Sequence, residues 1–268
     1  QTFYRLTGPI VPELHINQFV YFEAPGEPSL YARVTEIRGK TVVLKTLKDF
    51  TNLKNAVWGV STRNREQNFA MNLLTDPEVD FVTLTGTAGT GKTYLATLAA
   101  IRALRQGQIE RIVLTRPAIG VEDEKHGFLP GDLVSKMEPW TRPLLDVMRE
   151  YYRPQDITRM IDDQIIEISP LAYMRGRTFK NAWIIADEMQ NATPNQIKML
   201  LTRIGDNSTM VVTGDLEQAD RLKDNGLIDF CTLISQRTDL QHIDIANFNA
   251  QDIERHQAVK EVLSIYGE

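Results

Sequence analysis

Apolar and polar positions follow two different patterns along the chain, and the change comes near Trp58. In residues 1–58, short runs at 18–22, 31–37 and 41–47 alternate between apolar and polar residues, which predicts half-buried β-strands. Gly39 in RGK is a hairpin signal between the last two runs. We therefore expect a small antiparallel β module, a partly open barrel, over residues 1–58. Short strands do not decide its role, and a packing or oligomer-contact module fits them as well as an RNA-binding one.

From about residue 60, helical patterns alternate with short apolar runs. Strands are predicted at 81–85, 111–115, 165–168, 182–186, 209–213 and 242–246, and helices at 92–106, 132–151, 194–204 and 250–266. Thr193 and Pro194 form a helix start, and Gln196 completes a capping box. Strands that alternate with helices predict an α/β domain over residues 59–268, in which both faces of a parallel sheet are covered.

Composition narrows the classes of protein that are possible. The 268 residues contain one cysteine, Cys231, which excludes a disulfide framework and favours a cytoplasmic location. No apolar run has the length of a bilayer span, so we expect no membrane partner. The net charge is −5, although residues 1–58 alone carry +2 and the remainder −7. This balance argues against a broadly basic nucleic-acid coat but leaves room for a local basic groove.

The strongest chemical signal is GTAGTGKT at residues 86–93, between a predicted strand and a predicted helix. This is the P-loop pattern in the context that it requires. Its glycines let backbone N–H groups surround phosphates at a helix N-terminus. Lys92 is expected to contact the terminal phosphates and Thr93 to bind Mg²⁺. The predicted nucleotide-binding residues of the loop are Gly86, Thr87, Ala88, Gly89, Thr90, Gly91, Lys92 and Thr93.

Two adjacent carboxylates, Asp187 and Glu188, follow the apolar run AWIIA. Ligands of open α/β sheets bind at the carboxyl ends of strands, so these acids are expected beside the P-loop. Asp187 is predicted to hold Mg²⁺, and Glu188 to act as the general base for water. A base of this kind indicates hydrolysis rather than transfer to a small molecule.

Two further polar sets are candidates for the same site. Thr213 and Gln218 in TGDLEQ are predicted to sense the γ-phosphate, although a simple turn also explains Gly214 and Asp215. Asn64 and Gln67 lie one helical turn apart and could contact an adenine edge, with surface polarity as the simpler alternative. The chain contains no Asn-Lys-x-Asp stretch for reading guanine, so we expect ATP rather than GTP.

Several of these stretches together resemble the PhoH family of P-loop ATPases. They are GTAGTGKTYLA, LTRPAIG, HGFLPGDL, KMEPWTRPLLD, SPLAYMRGRTF, ADEMQNATPNQIKMLLTRIG, TGDLEQAD and DIERHQAVKEVLSIY, over roughly residues 60–268. The resemblance implies a RecA-like core akin to superfamily-one helicases, a cytosolic protein that uses ATP and Mg²⁺, and an association with RNA. It also implies that Asn64 and Gln67 contact adenine, and that Arg116 and Pro117 form a helicase-like segment.

The resemblance further implies that Arg255 in DIERH is an arginine finger, although a salt bridge with Asp252 or Glu254 explains it equally well. A helicase-like motor needs ATP between two RecA-like cores, and this chain has the length for one. We therefore predict a homo-oligomeric ring, with a hexamer favoured, in which Arg255 or Arg237 acts on the neighbouring subunit.

Tyr173, Arg175 and Arg177 are the candidates for contact with single-stranded RNA, because arginine binds phosphates and tyrosine stacks on bases. The loop at 127–133 and Lys136 are expected to line the same passage. The alternative is that the two arginines pair with acids across a subunit contact or act on a neighbour's nucleotide. Two functions remain open from sequence: an RNA-dependent, helicase-like ATPase, and an oligomeric ATPase that remodels or scaffolds a protein partner.

Overall fold

The computed structural model describes residues 2–9, 11–117, 141–218, 225–237 and 239–248. The N-terminal part forms an antiparallel sheet in the order β1-β4-β3-β2. Its two edge strands are not paired with each other, so the sheet is open. A small core of its own lies on one face, around Ala32, Val34 and Val42. The strands are β1 (Phe3–Thr7), β2 (Phe19–Phe22), β3 (Leu30–Arg38) and β4 (Thr41–Thr46).

The rest of the described chain is built on a six-stranded sheet. The strands are β5 (Phe81–Thr85), β6 (Arg111–Thr115), β7 (Ile166–Ile168), β8 (Ala182–Ala186), β9 (Thr209–Gly214) and β10 (Ile243–Asn247). They lie in the order β10-β5-β9-β8-β6-β7, and every neighbouring pair is parallel. The predicted strands are thus confirmed to within a residue or so at each end. Because β9 lies between β5 and β8, the sheet has the RecA-like order that the resemblance implies.

Helices cover both faces of this sheet, as apolar parallel strands require. The helices are α1 (Arg65–Thr75), α2 (Lys92–Arg105), α3 (residues 141–149), α4 (Pro154–Asp162), α5 (Pro194–Leu201) and α6 (Gly226–Ser235). One core cluster packs α1 to α4 on one face, and a second packs α5 and α6 on the other. The structure confirms the capping box at α5, where the Gln196 N–H donates to Thr193 Oγ1 and the Thr193 N–H donates to Gln196 Oε1. No helix in the described ranges is long and apolar enough to cross a bilayer.

The antiparallel sheet packs against α1 through aromatic contacts. The Phe19 ring stacks on Phe69 with 4.4 Å between centroids, and the Arg65 guanidinium lies 3.8 Å from the centre of the Tyr21 ring. After β4, the chain inserts Phe50 and Val57 into the larger core. The division at residue 58 therefore stays a prediction about domains, and the two parts share a packed boundary.

Candidate functional site

The P-loop lies between the carboxyl end of β5 and the start of α2. Gly86, Gly89 and Gly91 all have positive φ, at 144°, 83° and 90°, a region that side chains with a Cβ rarely adopt. A Cβ on Gly86 would lie 2.6 Å from the Phe248 carbonyl oxygen. Gly91 is the N-cap of α2, so the loop turns its backbone into the helix N-terminus, where anions bind.

Lys92 lies within this loop. Its ammonium donates to the carbonyl oxygens of Gly86 at 2.5 Å and Thr87 at 2.8 Å. Burial lowers the pKa of Lys92, and the charges of Asp215, Glu188 and Asp187 partly offset this effect. An ammonium held beside the loop amides is placed to contact the terminal phosphates of a nucleotide.

Asp187 joins three strands of the sheet. Its Oδ1 accepts hydrogen bonds from Thr93 Oγ1, at 2.9 Å, and from Thr213 Oγ1. Its N–H donates to the Thr115 carbonyl at 2.9 Å. The sequence predicted that Thr93 and Asp187 lie together, and the geometry brings them into direct contact.

A small cavity beside Asp187 tests whether these residues fit Mg²⁺. It has a volume of about 30 Å³ and is lined by Thr93, Thr115 and Asp187, among others. The buried Thr115 Oγ1 has no hydrogen-bond partner among the residues that the structure describes. Oxygen ligands with room for water are what Mg²⁺ requires. The residues therefore fit the ion, which Thr93 and Asp187 would hold directly or through water.

Glu188 follows β8 with a left-handed backbone, φ 55° and ψ 38°. A non-glycine residue in this conformation carries strain, which is concentrated at functional sites in proteins. Its carboxylate accepts a hydrogen bond from Gln190 Nε2 at 2.6 Å. The side chain of the predicted base is thus held in a fixed orientation next to Asp187, the predicted metal ligand.

Gln190 is a site residue that the sequence reasoning missed. It is 2% exposed, and its Oε1 accepts the Asp215 N–H at 3.1 Å. One amide therefore joins Glu188 to the loop after β9. Gly214 is required beside it, because a Cβ there would lie 2.3 Å from Leu227 Cδ2 and 2.8 Å from Gln190 Oε1. The adjacency of two separate motifs in space could not be read from the chain.

Asp215 was read from sequence only as part of a turn. The structure buries it to 5% exposure, and within the described ranges its Oδ2 has no hydrogen-bond partner. Its charge acts on Lys92. Gln218, which was predicted as a phosphate sensor, is exposed and hydrogen-bonds none of the described residues, so its role stays a prediction.

Asn64 and Gln67 have structural partners in the described site. Asn64 caps α1 by accepting the Gln67 N–H at 2.8 Å. Gln67 is 7% exposed, donates to the Thr90 carbonyl at 3.2 Å and accepts the Arg63 N–H at 2.9 Å. The pair therefore connects α1 to the P-loop. Surface polarity does not account for Gln67, and adenine contact stays a prediction.

The three RNA candidates lie between β7 and β8 and differ in their surroundings. Tyr173 is 52% exposed, and Arg175 is exposed and pairs with none of the described residues. Arg177 instead makes a two-point ion pair with Glu167 of β7, with Nη2 2.9 Å from Oε2. This contact raises the pKa of Arg177. Arg177 thus has an acidic partner within its own chain, whereas a partner across a subunit contact stays a prediction for both arginines.

Some predicted residues lie outside the described ranges. They are Arg255, the loop at 127–133 and Lys136. Arg237, the second candidate for action on a neighbouring subunit, makes a two-point ion pair with Asp239, both distances being 2.8 Å. Arg116 lines the cavity beside Asp187.

Comparisons with known proteins show which family this chain belongs to. The family model described as "PhoH-like protein" matches residues 59–267. A PhoH-like protein from Bacillus subtilis (strain 168) is 38% identical over 252 residues, which cover 93% of this chain and 70% of the relative. One from Synechocystis is 44% identical over 183 residues, or 68% of this chain and 55% of the relative. Protein PhoH from Escherichia coli (strain K12) is 36% identical over 211 residues, or 77% and 58%. The chain therefore spans little more than half the length of the last two.

Two solved structures are also similar in outline. The Hef helicase domain of Pyrococcus furiosus matches 68% of this chain and 38% of its own, with a TM-score of 0.38 and 12% identity. The SWI2/SNF2 ATPase core of Sulfolobus solfataricus matches 75% and 46%, with the same score and identity. These scores are too low to support an argument about this protein. The family model, by contrast, covers most of the chain, and on that ground the chain belongs to the PhoH-like protein family.

Proposed function

We propose that this protein is a Mg²⁺-dependent ATP hydrolase that couples hydrolysis to binding or translocation of single-stranded RNA. One observation carries the hydrolase part. A single hydrogen-bonded arrangement at the carboxyl edge of the sheet unites the P-loop helix, Asp187, Glu188 and the loop after β9. These are the groups needed to bind a nucleoside triphosphate and to activate water for attack on its γ-phosphate.

Each residue has a defined part in this proposal. The loop amides and Lys92 bind the phosphates, and Thr93 and Asp187 hold Mg²⁺, which when bound neutralises charge on the phosphate oxygens. Glu188 accepts the proton of the attacking water as it forms the bond to phosphorus. Thr213 of β9 donates to Asp187, while Gln190 donates to Glu188 and accepts the Asp215 N–H of the loop after β9. A change at Asp187 therefore acts on β9, and a change at Glu188 acts through Gln190 on the loop that follows it.

The RNA part is supported by the segment between β7 and β8. Tyr173 offers an exposed ring, and Arg175 an exposed guanidinium without a carboxylate partner in the described residues. Both properties suit single-stranded RNA, whose bases can stack on the ring and whose phosphates can contact the guanidinium. Residues 178–181 and β8 are all that lie between Arg177 and Asp187. RNA contact and hydrolysis are therefore connected through a short stretch of chain.

A matched pair of variants tests the RNA part. ATP hydrolysis is measured with and without oligouridylate at several salt concentrations for wild type, Arg175→Ala and Arg177→Ala. We expect RNA to stimulate wild type, and salt to weaken the effect. Arg175→Ala should reduce the stimulation more than Arg177→Ala, although each variant loses one positive charge. Equal rates with and without RNA in wild type would remove RNA from the proposal.

The assembly is part of the proposal. A ring, with a hexamer favoured, supplies the second wall of each ATP site, and Arg255 or Arg237 reaches the neighbour's γ-phosphate. Light scattering with ATP bound measures this directly. A monomer under those conditions contradicts the ring.

A specific surface favours the second candidate function, remodelling or scaffolding of a protein partner. Large apolar side chains are exposed on β1 and β2 of the open sheet; they are Phe3, Tyr4, Leu6, Tyr21 and Phe22. Exposed apolar groups on an edge strand suit a protein contact. This function gains support if wild type hydrolyses ATP at a rate that RNA does not change.

A further inference from the structure

A cleft separates the antiparallel sheet from the ATPase core, at some distance from the P-loop. Its main part has a volume of about 390 Å³ and lies between β4, the chain after it, α1 and α2. A second cavity of about 280 Å³ continues it towards Trp58, and the two share Lys48, Phe50 and Arg102 in their linings. We call the two together the junction cleft. Its size is that of ligand sites in proteins.

Hydrogen bonds between α1 and the chain after β4 hold one wall of the junction cleft in place. Asn72 of α1 accepts the Lys48 N–H at 2.9 Å and donates to the Lys48 carbonyl at 2.8 Å. Asn68 accepts the Phe50 N–H at 2.8 Å. These contacts hold the chain after β4 against α1. The cleft is therefore a preformed feature of the packed boundary.

Positive charge dominates the lining. The cations are Arg33, Lys45, Lys48 and Arg102, against a single lining carboxylate, Asp76. Arg33 is neutralised at the base of the cleft, where it lies 3.1 Å from Asp76 and 3.4 Å from Asp244. Lys45 is 3.6 Å from the same Asp76 oxygen. The lining keeps a positive excess in a chain whose net charge is −5.

Lys48 and Arg102 carry this excess. Neither pairs with a carboxylate in the part of the chain that the structure describes. They come from different elements, and both line the two cavities of the cleft. The Lys48 ammonium lies 5.3 Å from the centre of the Phe50 ring. Because both cations line one cleft without a carboxylate partner among the described residues, an anion in the cleft would be attracted to both.

Position in the fold distinguishes this cleft from the ATP site. Lys92 begins α2 at the P-loop, and Arg102 lies ten residues later, about 15 Å along the helix axis. The cleft is therefore at the opposite end of the sheet from the carboxylates. A ligand there adds affinity without entering the hydrolysis site, although α2 joins the two places rigidly.

We infer that the junction cleft binds the phosphate backbone of a single-stranded nucleic acid, as an anchoring site separate from Tyr173 and Arg175. The inference rests on the proposed function for the class of ligand. The length of the junction cleft favours a nucleic-acid strand over a single nucleotide, because the cleft continues past Lys48 and Arg102 to Trp58. The Trp58 ring is 38% exposed and lies under the Arg105 guanidinium at 4.4 Å, which adds an aromatic surface and another cation.

The test compares two double variants of the full chain that each lose two positive charges. Lys48→Gln with Arg102→Gln empties the cleft of its unpaired cations. Arg5→Gln with Lys40→Gln removes two exposed cations of the antiparallel sheet outside the cleft. The affinity for a fluorescent 20-nucleotide oligouridylate is measured between 50 mM and 500 mM salt. Hydrolysis of ATP without RNA is measured in parallel, and we expect it to be unchanged in both variants.

We expect the cleft variant to bind the oligonucleotide about 10- to 100-fold more weakly at 50 mM salt. Its slope of log affinity against log salt should be about 1.4 smaller, from two lost phosphate contacts to a single strand. The control variant should stay within about twofold of wild type. Equal affinities and slopes in the two variants would overturn the inference, as would the absence of oligonucleotide binding in wild type.

Other outcomes of these measurements distinguish failure of this inference from failure of the proposed function, and a nucleic acid from a smaller ligand. If the cleft variant loses binding but RNA never stimulates hydrolysis in wild type, the anchoring site stands and the coupling fails. If RNA stimulates hydrolysis and the cleft variant binds normally, the coupling stands and the anchoring site is wrong. If ADP or inorganic phosphate at low millimolar concentration displaces the oligonucleotide from wild type but not from the cleft variant, the site belongs to a free phosphate ligand instead.

Discussion

Gln190→Met isolates the contact that orients the proposed base. The substitution keeps the length of the side chain, but it removes the donor to Glu188 Oε2 and the acceptor for the Asp215 N–H. A hydrogen bond to a charged group contributes about 1.5–3 kcal/mol. If that energy holds the carboxylate where it must meet water, kcat should fall about 10- to 100-fold, since about 1.4 kcal/mol corresponds to tenfold.

The affinity of the Gln190→Met variant for nucleotide shows whether the substitution disturbs only the orientation of Glu188 or the whole nucleotide site. Gln190 makes no hydrogen bond to the P-loop, so ATP binding should stay within about threefold of wild type. Gln196→Met is the matched control, because it also removes a side-chain amide that accepts a backbone N–H, at the capping box of α5. Steady-state ATPase assays and binding of a fluorescent ATP analogue give both quantities. A folded Gln190→Met protein with kcat within twofold of wild type would refute the reasoning.

The structure also predicts two changes in stability. Gly214→Ala should lower the free energy of unfolding by about 1–3 kcal/mol in a denaturant titration, because its Cβ would overlap Leu227. Gly8→Ala, where nothing lies within 4 Å, should change it by less than about 0.5 kcal/mol; equal effects would contradict the packing argument. Burial raises the pKa of Asp244 to about 6. The native state therefore binds the extra proton, and wild type should lose about 2 kcal/mol relative to Asp244→Asn as the pH rises from 4 to 7. A pH-independent difference would refute this.

The sequence predicted the parts of the fold whose signals are local. The strand before the P-loop, the loop itself and α2 each carry a strong pattern over adjacent residues, and the acids at 187 and 188 end an apolar run. Strand β1 was missed because all five of its residues are exposed, so no alternation reports burial, and backbone pairing with β4 forms it. Helix α6 was missed because GLIDFCTLIS is an apolar run that strands and helices share.

The contacts across the site could not be predicted in the same way. Gln190 lies 25 residues before its partner Asp215, and neither motif alone contains the reason for the other. Arg177 looked equivalent to Arg175 in sequence, and the structure separates them because Glu167 of β7 lies beside only one of them. Side chains with several possible partners are resolved by the packing of the elements that carry them.

Replacement of Glu188 tests the central claim most directly. Glu188→Gln keeps the size of the side chain and removes the group that accepts the proton, while Glu217→Gln changes an exposed glutamate in the loop after β9. Single-turnover hydrolysis of ATP in the presence of Mg²⁺ is measured alongside ATP affinity. The account predicts that Glu188→Gln hydrolyses ATP at least about 10²-fold more slowly, with affinity within a few-fold of wild type, and that Glu217→Gln behaves as wild type. Hydrolysis by Glu188→Gln within threefold of wild type would contradict the account.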